Sequence, residues 1–278
     1  MKNKISLFTI AILLFSFIHP LNNLFSQNRT NAAAKLIFDS FIPGKDSILK
    51  VGVLFELEKD WHIYWRNPGD SGIPTSIEFI LPNGLHSSGI QWPVPSIFNY
   101  DTEVNFGYEN QVMLMSDIFI PSSYALGSIK ITAKIEALLC KYICIPFDTI
   151  LNTTIDLTSD KTLNDHASKL FEETEKLLPI SNHNLIAKAN YEIENLHLSI
   201  DNLNETQMKY DSFLFLPYEN GLFSYTAEQK IVRDGNQITL IVEPAQFRTQ
   251  KPDSLEGILV MKGNGSIQAY EIKVPISH

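Results

Sequence analysis

Ile129-Lys130-Ile131-Thr132-Ala133-Lys134-Ile135-Glu136-Ala137-Leu138-Leu139-Cys140-Lys141-Tyr142-Ile143-Cys144-Ile145-Pro146 is the stretch on whose reading the fold depends. Apolar and polar residues alternate from Ile129 to Ala137, the period of a strand with one face in a core and the other in water. Cys140 and Cys144 follow, and they are the only two cysteines in 278 residues. On an extended strand, residues four apart lie roughly 13 Å from each other. A disulfide needs Cα atoms within about 7 Å. A bond between them therefore requires the strand at 129–139 to end in a tight turn, bulge or helical turn at 141–143.

Outward from this segment the chain continues to read as β. Alternating or β-branched runs occupy 35–41, 48–58, 76–81, 111–120 and 149–157. Turn residues separate them: Pro43-Gly44, Asn67-Pro68-Gly69-Asp70, Pro82-Asn83-Gly84 and Pro121-Ser122. Short strands with regular turn signals predict a sandwich rather than βαβ units. One segment differs. Leu163, Ala167, Leu170, Phe171, Thr174, Leu177 and Leu178 recur at helical spacing, with Ser159 or Thr162 as caps and Pro179 as the stop. The β pattern resumes at 191–200, 212–216, 222–233, 237–242, 255–261 and 267–274, with Asp234-Gly235-Asn236 as a hairpin turn. The expected fold class is all-β, a sandwich followed by a linking helix and a second, smaller β-sandwich. The expected boundaries are a β domain at 31–158, the helix at 159–180 and a second β domain at 188–278.

The N-terminus has the anatomy of an export signal. Lys2 and Lys4 precede an uncharged apolar run over residues 5–18, followed by Pro20 and a polar segment. The expected signal peptide is 1–26, with no later stretch apolar enough to span a membrane. The formal net charge of −9 is scattered along the chain, which argues against nucleic acid or an anionic membrane surface as partner.

An exported protein enters a compartment where disulfides persist. The cysteines then have three uses: a staple, a soft-metal site or a reversible dithiol. Chain entropy gives so short a loop roughly 2 kcal/mol, against about 4.7 for a hundred-residue loop. That is a poor staple, and chemistry alone favours the reversible dithiol. A non-catalytic binding module with a structural disulfide remains an alternative. Zinc is disfavoured, since His62, His86, His166, His183 and His197 show no ligand spacing around the cysteines. Cu(I) held by two thiolates stays open as a copper-binding alternative. No Gly-x-Ser-x-Gly elbow or phosphate loop occurs. Asp70-Ser71-Gly72 beside Pro68 and Gly69 reads as a turn, and Trp61 and Trp65 as core. Without a Cys-x-x-Cys in a βαβ setting, a thioredoxin fold is disfavoured.

A series of motifs adds to this reading. Lys59-Asp60-Trp61-His62-Ile63-Tyr64-Trp65-Arg66-Asn67-Pro68-Gly69-Asp70-Ser71-Gly72-Ile73-Pro74-Thr75 is followed in order by Leu81-Pro82-Asn83-Gly84, Gln91-Trp92-Pro93-Val94-Pro95, Phe106-Gly107-Tyr108 and Cys140-x-x-x-Cys144-Ile145-Pro146. The series resembles the N-terminal periplasmic domain of the thiol:disulfide interchange protein DsbD, most of all its copper-sensitivity suppressor B type, the source of an expected link to copper tolerance. The resemblance implies an immunoglobulin-like sandwich at 35–158 and a redox-active Cys140–Cys144 disulfide. It implies that Cys144 forms the intermolecular bond and Cys140 resolves it, with no cofactor. Pro146 would stiffen the chain beyond Cys144, with a strand-edge proline as the plain alternative. Lys141 either lowers a thiolate pKa or is a solvated lysine. Tyr64 matches an active-site tyrosine of the family. The segment 97–108, carrying Phe98, Tyr100 and Phe106, corresponds to a loop that shields the cysteines in the relatives. The implied partners are a membrane-embedded thiol electron transporter and thioredoxin-like periplasmic proteins. The implied activity is protein-disulfide reductase-like interchange in the periplasm. DsbD itself has five residues between its cysteines, whereas this chain has three, as in the copper-suppressor branch. Full-length relatives continue into membrane and thioredoxin-like domains, so this chain is expected to take electrons from a separate protein.

Overall fold

The computed structural model describes residues 31–43, 47–124, 127–158, 165–181, 184–246, 251–263 and 265–277. The expected signal peptide and the caps Ser159 and Thr162 lie outside the described residues.

Ten strands build the first half: β1 (Ala32–Phe38), β2 (Ile48–Leu57), β3 (His62–Gly69), β4 (Ser76–Ile80), β5 (His86–Ser87), β6 (Ser96–Asn99), β7 (Val104–Glu109), β8 (Gln111–Phe119), β9 (Ser128–Cys140) and β10 (Cys144–Asp156). They form two sheets, ordered β1-β2-β8-β5 and β10-β9-β3-β7-β6, with β4 also on β9. The inner faces meet in an apolar core that includes Val53, Phe55, Ile63, Trp65, Leu114 and Ile135. This is an immunoglobulin-like β-sandwich, and the alternation along β9 is its cause. Ile129, Ile131, Ala133, Ile135, Ala137 and Leu139 are all buried, while Lys130, Lys134 and Glu136 face solvent.

The linking helix α1 (Asp165–Glu175) lies on the outside of β2 and β8, where Ala167 and Phe171 bury against Leu54, Met113 and Met115. It ends at Glu175 rather than at Pro179. Leu177 and Leu178 donate to the Thr174 and Glu175 carbonyls in a closing turn, and the Leu177 carbonyl accepts from the Val94 N–H. Tertiary pairing thus takes the last apolar residues out of the helix.

The second, smaller β-sandwich holds β11 (Ile186–Glu192), β12 (Asn195–Asp201), β13 (Ser212–Pro217), β14 (Lys230–Asp234), β15 (Gln237–Val242), β16 (Ser254–Gly263) and β17 (Ser266–Ser277). A single helical turn, α2 (Glu205–Met208), sits between β12 and β13, closed by a capping box of Asn204 and Gln207. The order is β13-β16-β17-β11-β12-β15-β14, and β11 runs parallel to β17 over two residue pairs among the described residues. Residues of β13, β16 and β17 close on those of β12 and β15 around Phe213, Phe215, Leu240, Leu259 and Ile272. β16 is buried on both faces. Leu255, Leu259 and Met261 enter this core, while Ile258 and Val260 join the core of the first sandwich. Its unbroken apolar run Ile258-Leu259-Val260-Met261 is what a strand without a wet face requires.

The structure corrects four further readings of strands and turns. Residues 97–108 are not an open loop: β6 and β7 pair from Ser96↔Gly107 to Asn99↔Val104, leaving only residues 100–103 as a connection. Their period was hidden because both faces of β7 are buried. Residues 67–69 belong to β3 rather than to a turn, inside a register shift between Tyr64 and Gly69. The run at 191–200 is broken into β11 and β12 by a turn in which Ile193 takes φ 60°. The run at 222–233 is a strand only over Lys230–Asp234, since Leu222 and Phe223 are consumed by the second core.

Candidate functional site

The strand β9 and strand β10 are joined by residues 141–143, and Cys140 and Cys144 are the first opposed pair of their ladder. Residues directly opposite in an antiparallel ladder approach to about 4.5 Å at non-hydrogen-bonded positions. The two Cα atoms are 4.2 Å apart and the sulfurs are joined in a disulfide. The hairpin itself therefore supplies the tight turn that the sequence required. Lys141 N–H donates to the Ile143 carbonyl inside it.

The two sulfurs sit in different surroundings. Cys140 is 3% exposed, while Cys144 lies on the exposed strand margin. Around Cys144 the turn presents apolar surface: Tyr142 is 92% exposed and Ile143 64%. Lys141 does not face the sulfurs. Its Nζ donates to Asp60 Oδ2 at 2.9 Å and to the Lys59 carbonyl, which anchors the turn to the chain entering β3. The hydrogen bond from Lys141 holds the Asp60 carboxyl below the usual carboxylate range, and the same bond raises the Lys141 ammonium.

Opposed residues share a face of the sheet, as do residues two apart. His62 pairs with Cys140 on one side and with Glu109 on the other. Cys140, His62, Tyr64, Asn105 and Phe98 accordingly share the outer face. On this face Phe98 stacks on the His62 imidazole at 4.6 Å, and Tyr64 meets the imidazole edge-on at 5.1 Å. The segment 70–75 covers Tyr64. Thr75 donates to the Tyr64 carbonyl, and Gly72 lies so close that a Cβ there would stand 2.3 Å from the phenol ring. Burial chiefly raises the Tyr64 phenol, assisted by Tyr100 and Glu103 and opposed by a hydrogen bond with Asn105. Burial alone lowers the His62 imidazole.

Of the four aromatics expected to shield the cysteines, the structure brings Tyr64 and Phe98 to the cysteine face and puts Tyr100 at its rim, 48% exposed. It places Phe106 on the opposite face, against Trp65 and Tyr225 in the core. Gly107 beside it permits the close crossing of β3, since a Cβ would stand 2.1 Å from the Ile63 carbonyl oxygen. His62 was read from sequence as a surface or core histidine. Only the strand register reveals its place opposite Cys140. Among the described residues no group of three or more His, Cys, Asp or Glu side chains forms a metal site, and no helix is long and apolar enough to cross a membrane.

The family model of the thiol:disulfide interchange protein DsbD, N-terminal, matches residues 32–155. Residues 32–155 are thus similar to a DsbD N-terminal domain. The matched span holds the turn between the cysteines and the strands of the first sandwich, except the last residue of β10. Among solved structures the chain is similar to the N-terminal periplasmic domain of ScsB from Proteus mirabilis, at 15% identity and a TM-score of 0.65. That likeness covers 90% of this chain and 95% of the other, so the fold with both sandwiches is shared. A search of the curated proteins finds no match to this chain. Much of the DsbD-like motif 59–75 proves architectural. Trp65 packs on Tyr218, Arg66 lies over the Tyr218 ring at 4.0 Å, and Asn67 bonds to residues 217–225 of the second sandwich.

Proposed function

We propose that Cys140 and Cys144 form the redox-active pair of a periplasmic thiol–disulfide exchange protein. In this reading the protein takes reducing equivalents from a membrane-embedded thiol transporter and passes them to oxidised, thioredoxin-like periplasmic proteins. The observation that carries it is the unequal exposure of the two sulfurs within the span that matches the DsbD N-terminal model. In the reduced protein the exposed Cys144 thiolate attacks a partner disulfide, forming a mixed disulfide and releasing one partner thiolate. Cys140 then attacks the Cys144 sulfur, the Cys140–Cys144 bond forms, and the second partner sulfur leaves as a thiol. Two electrons and two protons pass to the partner. Tyr142 and Ile143 give the partner an apolar footing beside Cys144, while Tyr64 and Phe98 close the other flank against small oxidants.

Equilibration of the purified protein in glutathione buffers tests this. An exchanging pair has a potential above about −300 mV, whereas a structural disulfide lies below it. A value below that limit would move the pair to the structural reading.

A further inference from the structure

His62 is 3% exposed, and its Nε2 is buried without a hydrogen-bond partner among the described residues. A buried polar atom left unpaired costs stability unless some state of the protein uses it. Its cross-strand neighbour is Cys140, whose sulfur is tied up in the disulfide in this structure. Reduction frees that sulfur. A buried thiol holds its proton more firmly than a free one at about 8.5, so attack by Cys140 needs a base.

The other charged and titratable groups around His62 are poor candidates. On its own strand, Tyr64 is held protonated by burial. At the hairpin turn, Lys141 is committed to Asp60. Glu109, opposite His62 on β7, is exposed to solvent. Tyr100 and Glu103 of the β6–β7 connection bear on Tyr64, and β6 offers only the ring of Phe98.

We infer that His62 is the proton acceptor for Cys140. The inference rests on the exchange reading and adds the residue that runs its second step. In the mixed disulfide the Cys140 S–H proton passes to the imidazole. The Cys140 thiolate then attacks the Cys144 sulfur, the bond from Cys144 to the partner sulfur breaks, and the departing partner thiolate takes up the proton from the imidazolium. Cys140 is oxidised and the partner sulfur reduced. The aromatic sandwich of Phe98 and Tyr64 orients the ring and excludes water from this transfer.

The test is a titration of the unmodified mature chain carrying isotope-labelled histidine, followed by nuclear magnetic resonance in the oxidised form and after chemical reduction. The His62 resonance is assigned by its loss in His62→Gln. If the imidazole takes the Cys140 proton, the reduced pair rests as imidazolium and thiolate, each holding the other charged, so reduction should raise the His62 midpoint by at least about one pH unit. The other histidine resonances serve as internal controls. An unchanged His62 midpoint would overturn the inference. In a Cys144→Ser background, the thiolate absorbance of Cys140 should appear at least about one pH unit lower than in the Cys144→Ser, His62→Phe double variant. A merely structural ring would leave that difference at zero. Because the pair is reduced chemically, failure of exchange in the cell leaves both titrations readable, and flat titrations leave the exchange reading standing.

Discussion

Asn67 and Pro217 are 150 residues apart in the chain, and the Asn67 amide donates to the Pro217 carbonyl oxygen at 2.8 Å. The same amide reaches the Glu219 carbonyl and the Tyr225 hydroxyl, while its oxygen accepts from the Gly69 N–H. Pro217 closes the edge strand β13, whose Phe215 is capped in the same manner by the Gln229 side chain. Two side-chain amides thus occupy a strand edge that would otherwise stand open to another chain. Asn67→Ala leaves several buried groups unpaired, each costing about 1–3 kcal/mol. The expected loss is about 2–4 kcal/mol in urea unfolding of the oxidised chain. A loss within about 0.5 kcal/mol, as at an ordinary surface site, would show that Asn67 does not bolt the halves together.

The disulfide should contribute little to that stability. Its loop is short, so chain entropy allows roughly 2 kcal/mol at most. Unfolding curves with and without reductant should therefore keep the same slope, with a modestly lower midpoint after reduction. Global unfolding on mild reduction would mark the bond as a staple.

The aromatics proposed as a shield separate by face. Phe98→Ala opens the stack over His62 and should speed reduction of the disulfide by dithiothreitol several-fold, with a small change in unfolding midpoint. Phe106→Ala removes a buried ring and should cost about 3–5 kcal/mol. Tyr100→Ala, at an exposed rim position, should stay within about 0.5 kcal/mol of the parent. Equal reduction rates for the parent and Phe98→Ala would remove Phe98 from the shield.

Acid should weaken the oxidised fold through His62. Its folded imidazole titrates below the ordinary value near 6.5 because burial penalises the charged form. The unfolded chain then binds more protons below that pH, so His62 contributes its stability above about pH 6.5 and loses it as pH falls through the folded value. Urea midpoints measured between about pH 8 and pH 5 should fall for the parent and fall less for His62→Phe. Parallel curves for the two proteins would assign the acid sensitivity elsewhere.

How far the sequence carried this reading depended on whether each strand had one wet face. β9 alternates over its whole length and was legible to within a residue. β7 is buried on both sides and β3 breaks its pairing between Tyr64 and Gly69, so neither shows a strand period. β16, also buried on both faces, was legible at 255–261 from its unbroken apolar run. The cysteine hairpin was legible because a chemical limit on Cα separation forced a turn at 141–143. His62 was not, because nothing local distinguishes a histidine facing Cys140 from one in a core. The same holds for Asn67, whose partners lie in the other sandwich. The motif that marks the family therefore mixes site and scaffold. Tyr64 lies on the cysteine face, while Trp65, Arg66 and Asn67 reach toward residues 217–225.

The proposed roles of the two sulfurs rest on their exposure. Cys144 is open to a partner, and Cys140 lies buried beneath the hairpin opposite His62. Cys140→Ser keeps the accessible thiol and removes the one that would release a bound partner. It should accumulate mixed disulfides in the periplasm, seen as slower bands on non-reducing electrophoresis after acid quenching and alkylation. Cys144→Ser leaves only the buried thiol and should trap far less. Adding Phe98→Ala to Cys144→Ser should raise trapping, because it uncovers the remaining sulfur from the His62 side. Equal trapping by the two single variants would erase the division of roles while leaving exchange in place. An absence of trapping in both, with a parent pair that stays oxidised in the cell, would sink the redox function itself.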